Sequence, residues 1–347
     1  MSDIFTSRLL SEIPPALSKI LDALLTLPKL HTVNLSDNAF GLNTQAPLVS
    51  FLSAHTPLEH LYLTNNGLGP EAGTLIANAL VKLAERKREK DAPQLRTVIC
   101  GRNRLENGSM AAWAKAFAAN PGITHVKMMA NGIRQEGVTH LIKEGLRHAS
   151  GLKVLDLQDN TFTTLGARAL ADVIHQWEEL RELGLNDCYL SARGGVMVVE
   201  ALREGKNKGL EVLRLQYNDI DSKGIKSLAD AQDKLLKLRR VELNGNKFNE
   251  DDISIERLRE ALHERRDKFG RQYEAGEHDD WGLDELDELE EESEDEEEEE
   301  LEEEEEEKEK ELEKELEKVD EAEDANVPQE ESKSVDNLAD MLEKTGL

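Results

Sequence analysis

Apolar residues recur along this chain in a pattern of eleven positions. Apolar residues occupy the first, fourth, sixth and eleventh positions, and asparagine usually occupies the ninth. Copies of the pattern begin at Leu30, Leu58, Leu95, Ile123, Leu152, Leu180, Leu210 and Leu238. The ninth position, which we call the ladder position, reads Asn38, Asn66, Asn103, Asn131, Asn160, Cys188, Asn218 and Asn246. Its steps are 28 to 30 residues, with one of 37, so the eight copies predict a solenoid of stacked repeats.

Each copy predicts one strand followed by one helix. Its first, fourth and sixth positions alternate with outward-facing residues, as in a short strand. The asparagine then turns the chain, because its amide bonds backbone groups that the strand leaves unpaired. After the turn, segments such as 69–85 and 164–177 carry apolar residues at helical spacing. The sequence therefore predicts an α/β leucine-rich-repeat solenoid of the ribonuclease-inhibitor-like class, with about eight strand–helix repeats over residues 30–250.

The two ends of the solenoid differ. Residues 1–29 predict the helix of an incomplete leading repeat, since their apolar residues have helical spacing and no strand precedes them. We expect either that this chain lacks upstream repeats or that the leading helix is itself the cap. At the other end, residues 251–270 predict a capping helix, in which Ile255, Leu258 and Leu262 fall on one face.

Charge divides the chain near residue 271. The whole chain carries 43 Lys+Arg and 72 Asp+Glu, a net charge of −29. Residues 279–324 hold 31 of these acidic residues and 4 lysines, so the rest of the chain is close to neutral. Blocks of like charge repel each other and bury little apolar area, and residues 271–347 are therefore expected to form an acidic, disordered tail. The near-neutral body argues against nucleic-acid binding through a cationic surface.

Two apolar groups interrupt the acidic tail. Their members are Trp281, Leu283, Leu286 and Leu289 in the first group, and Val335, Leu338, Met341 and Leu342 in the second. Each group would dock on a partner or serve as an export-type signal, or else its leucines are incidental to a solvated tail. We expect the solvated tail for both groups.

Conventional catalytic and metal-binding motifs are absent. The sequence contains no GxxxxGK[ST], HExxH, CxxC or GxSxG motif. The nine histidines occur singly, and His60 and His125 fall in predicted strands, where packing explains them better than metal ligation. No apolar run reaches 18 residues, and the N-terminus does not have the pattern of a signal peptide. Cys100 and Cys188 form no disulfide framework, so we expect a recognition scaffold in the cytosol or nucleus, with no metal and no membrane span.

The residue directly before each ladder position is not needed to form the turn. We call these eight positions the rim. They are Asp37, Asn65, Arg102, Ala130, Asp159, Asp187, Tyr217 and Gly245. Loops at one edge of a rigid repeat scaffold are where binding residues collect. We therefore predict that the side-chain amide of Asn65 is free to bind a partner, whereas the amide of the adjacent Asn66 is bonded within the ladder. Arg102, Arg104 and Arg134 add positive charge to the same edge.

Several of the repeat sequences are longer and more specific than the general consensus. They include LHTVNLSDNAFG at 30–41, TPLEHLYLTNNGLGP at 56–70, CGRNRLENGSM at 100–110, LKVLDLQDNTFT at 152–163 and LRELGLNDCYLSARG at 180–194. In these strings the chain resembles the Ran GTPase-activating proteins in their fungal form, whose repeats run directly into an acidic tail. The resemblance extends from Asp3 to about residue 250. Members of this family carry further repeats before the position of Met1, so the chain is expected to lack N-terminal repeats and to bind the GTPase weakly.

The resemblance implies a non-enzymatic activator of GTP hydrolysis by the small GTPase Ran. The family is understood to act without an arginine finger: an asparagine at the rim contacts the glutamine with which the GTPase orients the attacking water. That asparagine maps onto Asn65, whose amide can hold another amide in one orientation. Arg8 matches an arginine on the family's binding side, and Arg102, Arg104 and Arg134 are expected to contact the GTPase.

The resemblance also implies the partners and the location. The expected partner is Ran in its GTP form. Because GTP and magnesium belong to that partner, this chain is expected to need no cofactor of its own. Ran-binding proteins or import receptors are candidate partners for the acidic tail, and a monomer is expected. The family's activity, which supports nucleocytoplasmic transport, belongs to the cytoplasmic side, and a perinuclear or shuttling pool is the alternative.

Two other protein classes share parts of this architecture. An acidic leucine-rich-repeat protein of the histone-chaperone type would bind basic clients through its tail, but it predicts fewer and shorter repeats. A ribonuclease-inhibitor-type scaffold would bind proteins without a special role for Asn65. Mixing with core histones at rising salt tests the first class, because binding by the tail alone weakens as salt screens the charges.

Overall fold

The repeats stack into one parallel sheet that is backed by helices. This architecture is seen in a computed structural model, which describes residues 1–269 and 281–290. Each strand of the sheet pairs in parallel with the next strand along the chain. The strands are β1 Thr32–Asn34, β2 His60–Tyr62, β3 Thr97–Ile99, β4 His125–Lys127, β5 Val154–Asp156, β6 Glu182–Gly184, β7 Val212–Arg214, β8 Arg240–Glu242 and β9 Gly282–Leu283.

Helices connect successive strands and pack on one another beside the sheet. In the described part of the chain they are α1 Ile13–Leu25, α2 Gln45–Ala54, α3 Gly69–Glu89, α4 Met110–Ala119, α5 Gln135–His140, α6 Thr163–Ile174, α7 Ser191–Arg203, α8 Ser222–Asp230 and α9 Ile253–Phe269. The face predicted for α9, formed by Ile255, Leu258 and Leu262, is buried. None of the described helices has the length and apolar character needed to cross a bilayer. The predicted leucine-rich-repeat solenoid is confirmed.

The ladder asparagines join each repeat to its neighbours. The backbone N–H of Asn66 donates to Asn103 Oδ1 at 2.9 Å. Asn66 Nδ2 donates to the carbonyl oxygens of Leu35 at 3.0 Å and Leu63 at 2.9 Å, so one side chain bonds two repeats. Such bonds pair backbone groups at the turn that would otherwise be buried and unsatisfied. They hold the turns in fixed register.

Cys188 occupies the sixth ladder position and interrupts this series. Its Sγ lies 3.5 Å from the carbonyl oxygens of Leu157 and Asn186. At the next ladder position, Asn218 Nδ2 donates to the corresponding carbonyl at 2.7 Å. Burial raises the pKa of the Cys188 thiol, and it raises the pKa of Cys100 to about 12. Both thiols are therefore held in the neutral form and serve packing.

Residues 1–5 form a loop that continues the ladder into the leading repeat. The carbonyl of Met1 accepts a hydrogen bond from Asn38 Nδ2 at 3.1 Å, and Asn38 Oδ1 accepts one from the backbone N–H of Phe5 at 3.1 Å. The Phe5 ring is buried against Phe40, with the ring centroids 6.0 Å apart. The leading repeat thus contributes a loop and the helix α1.

The prediction that residues 271–347 form a disordered tail is wrong for residues 281–290, which we call the cap segment. Strand β9 of this segment extends the sheet beyond β8. Trp281 and Leu286, which the sequence assigned to a solvated tail, are each only 8% exposed. They cover the end of the solenoid. The second apolar group of the tail, at 335–342, lies outside the described residues.

Acidic side chains hold the cap segment on the sheet. The Asp284 carboxylate accepts hydrogen bonds from the backbone N–H of Leu243 at 2.8 Å and of Asn244 at 3.0 Å. It also accepts a hydrogen bond from Gln216 Nε2 at 2.7 Å. The acidic composition suggested solvent exposure, but a carboxylate is also a good acceptor for N–H groups at the end of a sheet. The cap segment therefore belongs to the solenoid.

The long step of 37 residues between Asn66 and Asn103 contains the longest of these helices, α3. One basic side chain of α3, that of Lys87, is buried and holds neighbouring loops in place. Lys87 is 4% exposed. Its Nζ donates to the carbonyl oxygens of Thr56, at 2.9 Å, and of Leu58 and Pro93. Burial lowers the pKa of Lys87 to about 8. Lys87 therefore serves the fold, whereas the neighbouring Arg86, Arg88 and Lys90 are exposed.

Replacing Lys87 with methionine is expected to lower the free energy of unfolding by about 2–3 kcal/mol, because three carbonyls lose their donor. Lys82→Met, on the exposed side of the same helix, is the matched control and should stay within about 0.5 kcal/mol of the unmutated chain. Urea denaturation of both variants measures the difference. Equal stability of the two variants would show that these hydrogen bonds add nothing.

The burial of His55 is expected to make the free energy of unfolding depend on pH. It is 1% exposed, and its Nε2 donates to the carbonyl of Leu30 at 2.8 Å. Burial lowers the pKa of His55, so the unfolded state takes up this proton first as the pH falls. The free energy of unfolding should therefore fall as the pH drops below about 6.5. In denaturation series at pH 7 and pH 5, the His55→Gln variant should lose less stability than the unmutated chain. The exposed control His148→Gln should retain the loss.

Candidate functional site

The eight rim residues share one backbone conformation. Each has a positive φ, between 51° and 71°, where the chain turns out of its strand. The backbone N–H of Asn65 donates to the carbonyl of Gly101 in the next repeat at 2.9 Å, and most other rim residues make the same bond. Asparagine and aspartate tolerate this left-handed region better than most residues, which explains why they occupy four of the eight positions. The scaffold thus fixes the backbone from which each rim side chain extends.

Asn65 and Asn66 are adjacent in sequence but differ in surroundings. Asn66 is fully buried and its amide is used by the ladder. Asn65 is exposed, and its Nδ2 donates to Oδ1 of Asp37, the rim residue of the preceding repeat, at 3.0 Å. Among the described residues, Asn65 Oδ1 accepts no hydrogen bond. One amide oxygen is therefore available to a partner protein.

The arginines predicted to contact the partner lie in loops of the same edge. Arg102 is the rim residue of the repeat after that of Asn65, because β2 pairs with β3. Arg104 follows two residues later, Arg134 directly precedes α5, and Arg8 lies in the loop before α1. All four arginines are exposed, and none forms an ion pair with another described residue. The fold thus places Arg102 and Arg104 one turn after Asn65 and Arg134 two turns after it, while Arg8 lies two turns before it.

Along this edge the exposed charge changes from positive at Arg102, Arg104 and Arg134 to negative in the following two repeats. The next two rim residues are Asp159 and Asp187, both exposed. Partial burial raises the pKa of Asp187, and the neighbouring Asp159 carboxylate raises it further. A partner surface with the opposite order of charges would be favoured in one orientation along this edge.

Asp37 is the residue of this site that the sequence did not single out. Its carboxylate touches the Asn65 amide, although 28 residues separate the two in the chain. A signal was present, because both occupy the rim position and equivalent positions of adjacent turns are neighbours in a solenoid. The pattern within a single repeat does not contain this contact, because it forms only between two turns.

The side chains along this edge can form hydrogen bonds and ion pairs with a partner protein, and can thereby bind it and position its groups. Within residues 1–269 and 281–290, no group of three or more His, Cys, Asp or Glu side chains could hold a metal ion. The amide of Asn65 can donate and accept, and the guanidinium groups can pair with carboxylates or phosphates. Such groups can orient a reacting side chain of another protein.

Comparison with known proteins places the repeats in a family. A leucine-rich-repeat family model matches residues 54–77, 150–171 and 206–229. Ran GTPase-activating protein 1 of Saccharomyces cerevisiae is 42% identical over 262 residues, which cover 74% of this chain and 64% of the yeast protein. The chain belongs to the Ran GTPase-activating protein family.

Two further Ran GTPase-activating proteins are similar over shorter shares of their length. The Drosophila melanogaster protein is 34% identical over 253 residues, covering 72% of this chain and 42% of the fly protein. Ran GTPase-activating protein 2 of Caenorhabditis elegans is 40% identical over 140 residues, covering 39% of this chain and 14% of the worm protein. The chain therefore spans less than two thirds of the length of these relatives. The predicted family is confirmed, and the roles given to Asn65 and the arginines stay predictions.

Proposed function

We propose that this chain stimulates GTP hydrolysis by the small GTPase Ran. The observation that carries the proposal is the 42% identity to a yeast protein named for this activity, over 74% of the chain. The alternatives of a histone-chaperone-like protein or a general binding scaffold have no comparable support.

In the proposed mechanism this chain is a regulator of an enzyme. The GTPase binds GTP and magnesium and supplies the glutamine that orients the attacking water. Asn65 contacts that glutamine and restricts its side chain to the productive orientation. Restricting a mobile catalytic group raises the fraction of complexes in which the water is aligned. This chain would then need no cofactor.

The arginines of the edge give the proposal its docking contacts. Arg102, Arg104 and Arg134 have no carboxylate partner among the described residues, so they can pair with acidic groups of the GTPase. Arg8 adds a fourth guanidinium group from the loop of the leading repeat. We assign these four residues to binding and orientation, and Asn65 to the catalytic effect.

The proposal also covers the oligomeric state, the cellular location and further partners of the chain. The chain acts as a monomer on the GTP form of Ran, on the cytoplasmic side of nucleocytoplasmic transport, with a perinuclear or shuttling pool as the alternative. Its acidic tail attracts basic surfaces on Ran-binding proteins or import receptors. Neither nucleic acid nor a membrane is a partner.

Release of phosphate from Ran loaded with GTP tests the proposal. A substoichiometric amount of the chain should accelerate release over many turnovers, in proportion to its concentration. A small GTPase of another family is the specificity control and should not respond. If the folded chain in excess fails to accelerate release from Ran, the proposal is wrong.

A further inference from the structure

Asp37 links the leading loop to Asn65 through side-chain hydrogen bonds. Its Oδ1 accepts from Asn65 Nδ2 at 3.0 Å, and its Oδ2 accepts from Ser2 Oγ at 3.1 Å. The backbone N–H of Asp37 donates to the carbonyl of Thr64 at 2.9 Å. Both Asp37 and Asn65 have the rim backbone conformation, with φ of 60° and 55°. Three side chains from consecutive turns therefore form one hydrogen-bonded row along the edge.

The carboxylate of Asp37 selects one orientation of the Asn65 amide. An exposed asparagine amide can exchange the places of its oxygen and nitrogen by rotation about its last side-chain bond. An ionised carboxylate only accepts hydrogen bonds, so it pairs with the amide nitrogen and not with the amide oxygen. With Nδ2 held by Asp37, the Oδ1 of Asn65 faces away from that carboxylate.

We propose that Asp37 is a positioning residue for Asn65, an inference that rests on the proposed activation of Ran. Asp37 keeps Asn65 Oδ1 available as an acceptor for an amide N–H of the glutamine in the GTPase. The oxygen of that glutamine then remains free to accept from the attacking water. The reversed amide would instead offer an N–H, which competes with the water for the glutamine oxygen.

The location of the Asp37–Asn65 bond favours this role over a purely structural one. Both side chains are exposed, and the bonds that fix the rim are made by the backbone. An exposed polar pair adds little to stability, because water competes for its groups. The pair can still decide which way the amide faces.

The turnover number and the KM for Ran loaded with GTP test the inference in three single variants. Asp37→Ala frees the Asn65 amide to reverse and to leave its rotamer, so kcat should fall about twofold to fivefold while KM stays within twofold. Asp37→Asn can either accept from Asn65 Nδ2 or donate to Asn65 Oδ1, so it no longer selects one orientation and should lower kcat about twofold. Asp91→Ala removes an exposed carboxylate that also has a positive φ but lies after α3, outside the rim, and its kcat should be unchanged.

A double variant separates this inference from the proposed function. In an Asn65→Ala background, adding Asp37→Ala should cause no further loss, with the melting temperature unchanged. If Asn65→Ala loses activity while Asp37→Ala keeps the full kcat, the positioning role is wrong and the proposed function stands. If Asp37→Asn keeps the full kcat, an acceptor-only group at this position is not needed, and the inference is again wrong. If the unmutated chain does not stimulate Ran, the proposed function fails and the inference fails with it.

Discussion

Replacing Asn65 with alanine is expected to slow stimulated GTP hydrolysis by Ran roughly 100-fold or more, the size of effect seen when one preorganised hydrogen-bonding group is lost from a catalytic site. The fold should not suffer, because Ala130 occupies the same rim position in another repeat with a φ of 52°. Single-turnover hydrolysis at a saturating concentration of the chain measures the effect separately from binding.

Two variants serve as controls for Asn65→Ala. Asn65→Gly also removes the amide and suits the left-handed backbone, so it should lose as much activity as the alanine variant. Asn66→Ala removes a ladder amide and should instead lower the free energy of unfolding by about 2–4 kcal/mol. Stimulation by Asn65→Ala within threefold of the unmutated chain would contradict the catalytic role of this residue.

Truncation after Gly276 is expected to lower the free energy of unfolding by about 3–6 kcal/mol. The truncated chain loses the buried side chains of Trp281 and Leu286, each worth about 1.5–3 kcal/mol. It also loses the carboxylate of Asp284, which pairs two backbone N–H groups of the preceding repeat. Urea denaturation measures the stability, and hydrogen exchange should show the greatest loss of protection in β8.

Truncation after Glu290 is the matched control, because it keeps the cap segment and removes only residues 291–347. We expect its stability to lie within about 1 kcal/mol of the full chain, since the truncated chain keeps the bonds of Asp284 to the preceding repeats. If the two truncated chains were equally stable, the structural role of the cap segment would be wrong. The pair also separates loss of the cap from loss of negative charge in any test of binding to Ran.

The fold was predictable because its determinants are local and repeated. A strand, a turn and a helix are each encoded within about 28 residues, and eight copies reinforce one another. The end of the solenoid was not predictable in this way. Acidic residues such as Asp284 in a run of like charge suggest solvent exposure, and only the three-dimensional neighbour shows that the carboxylate receives backbone N–H groups.

The candidate site was predictable in part for the same reason. The period alone separates Asn65 from the ladder residue Asn66. Contacts between turns are not encoded in any local pattern, so the bond from Asn65 to Asp37 was missed. The burial of Lys87 was missed as well, because its three carbonyl partners lie outside the helix that carries it.

The thiol at the sixth ladder position has a mechanical consequence. The neighbouring joints are fastened by short amide bonds, such as the 2.7 Å bond from Asn218, whereas Cys188 approaches its carbonyls only to 3.5 Å. At this joint a weak thiol contact therefore stands in place of an amide bond. The fifth and sixth turns are held together instead by the backbone hydrogen bonds between them, such as the 2.9 Å bond from the Asp159 N–H to the Asn186 carbonyl, and by the packing of α6 against α7. A substitution that disturbs this helix packing would leave the joint with backbone bonds alone.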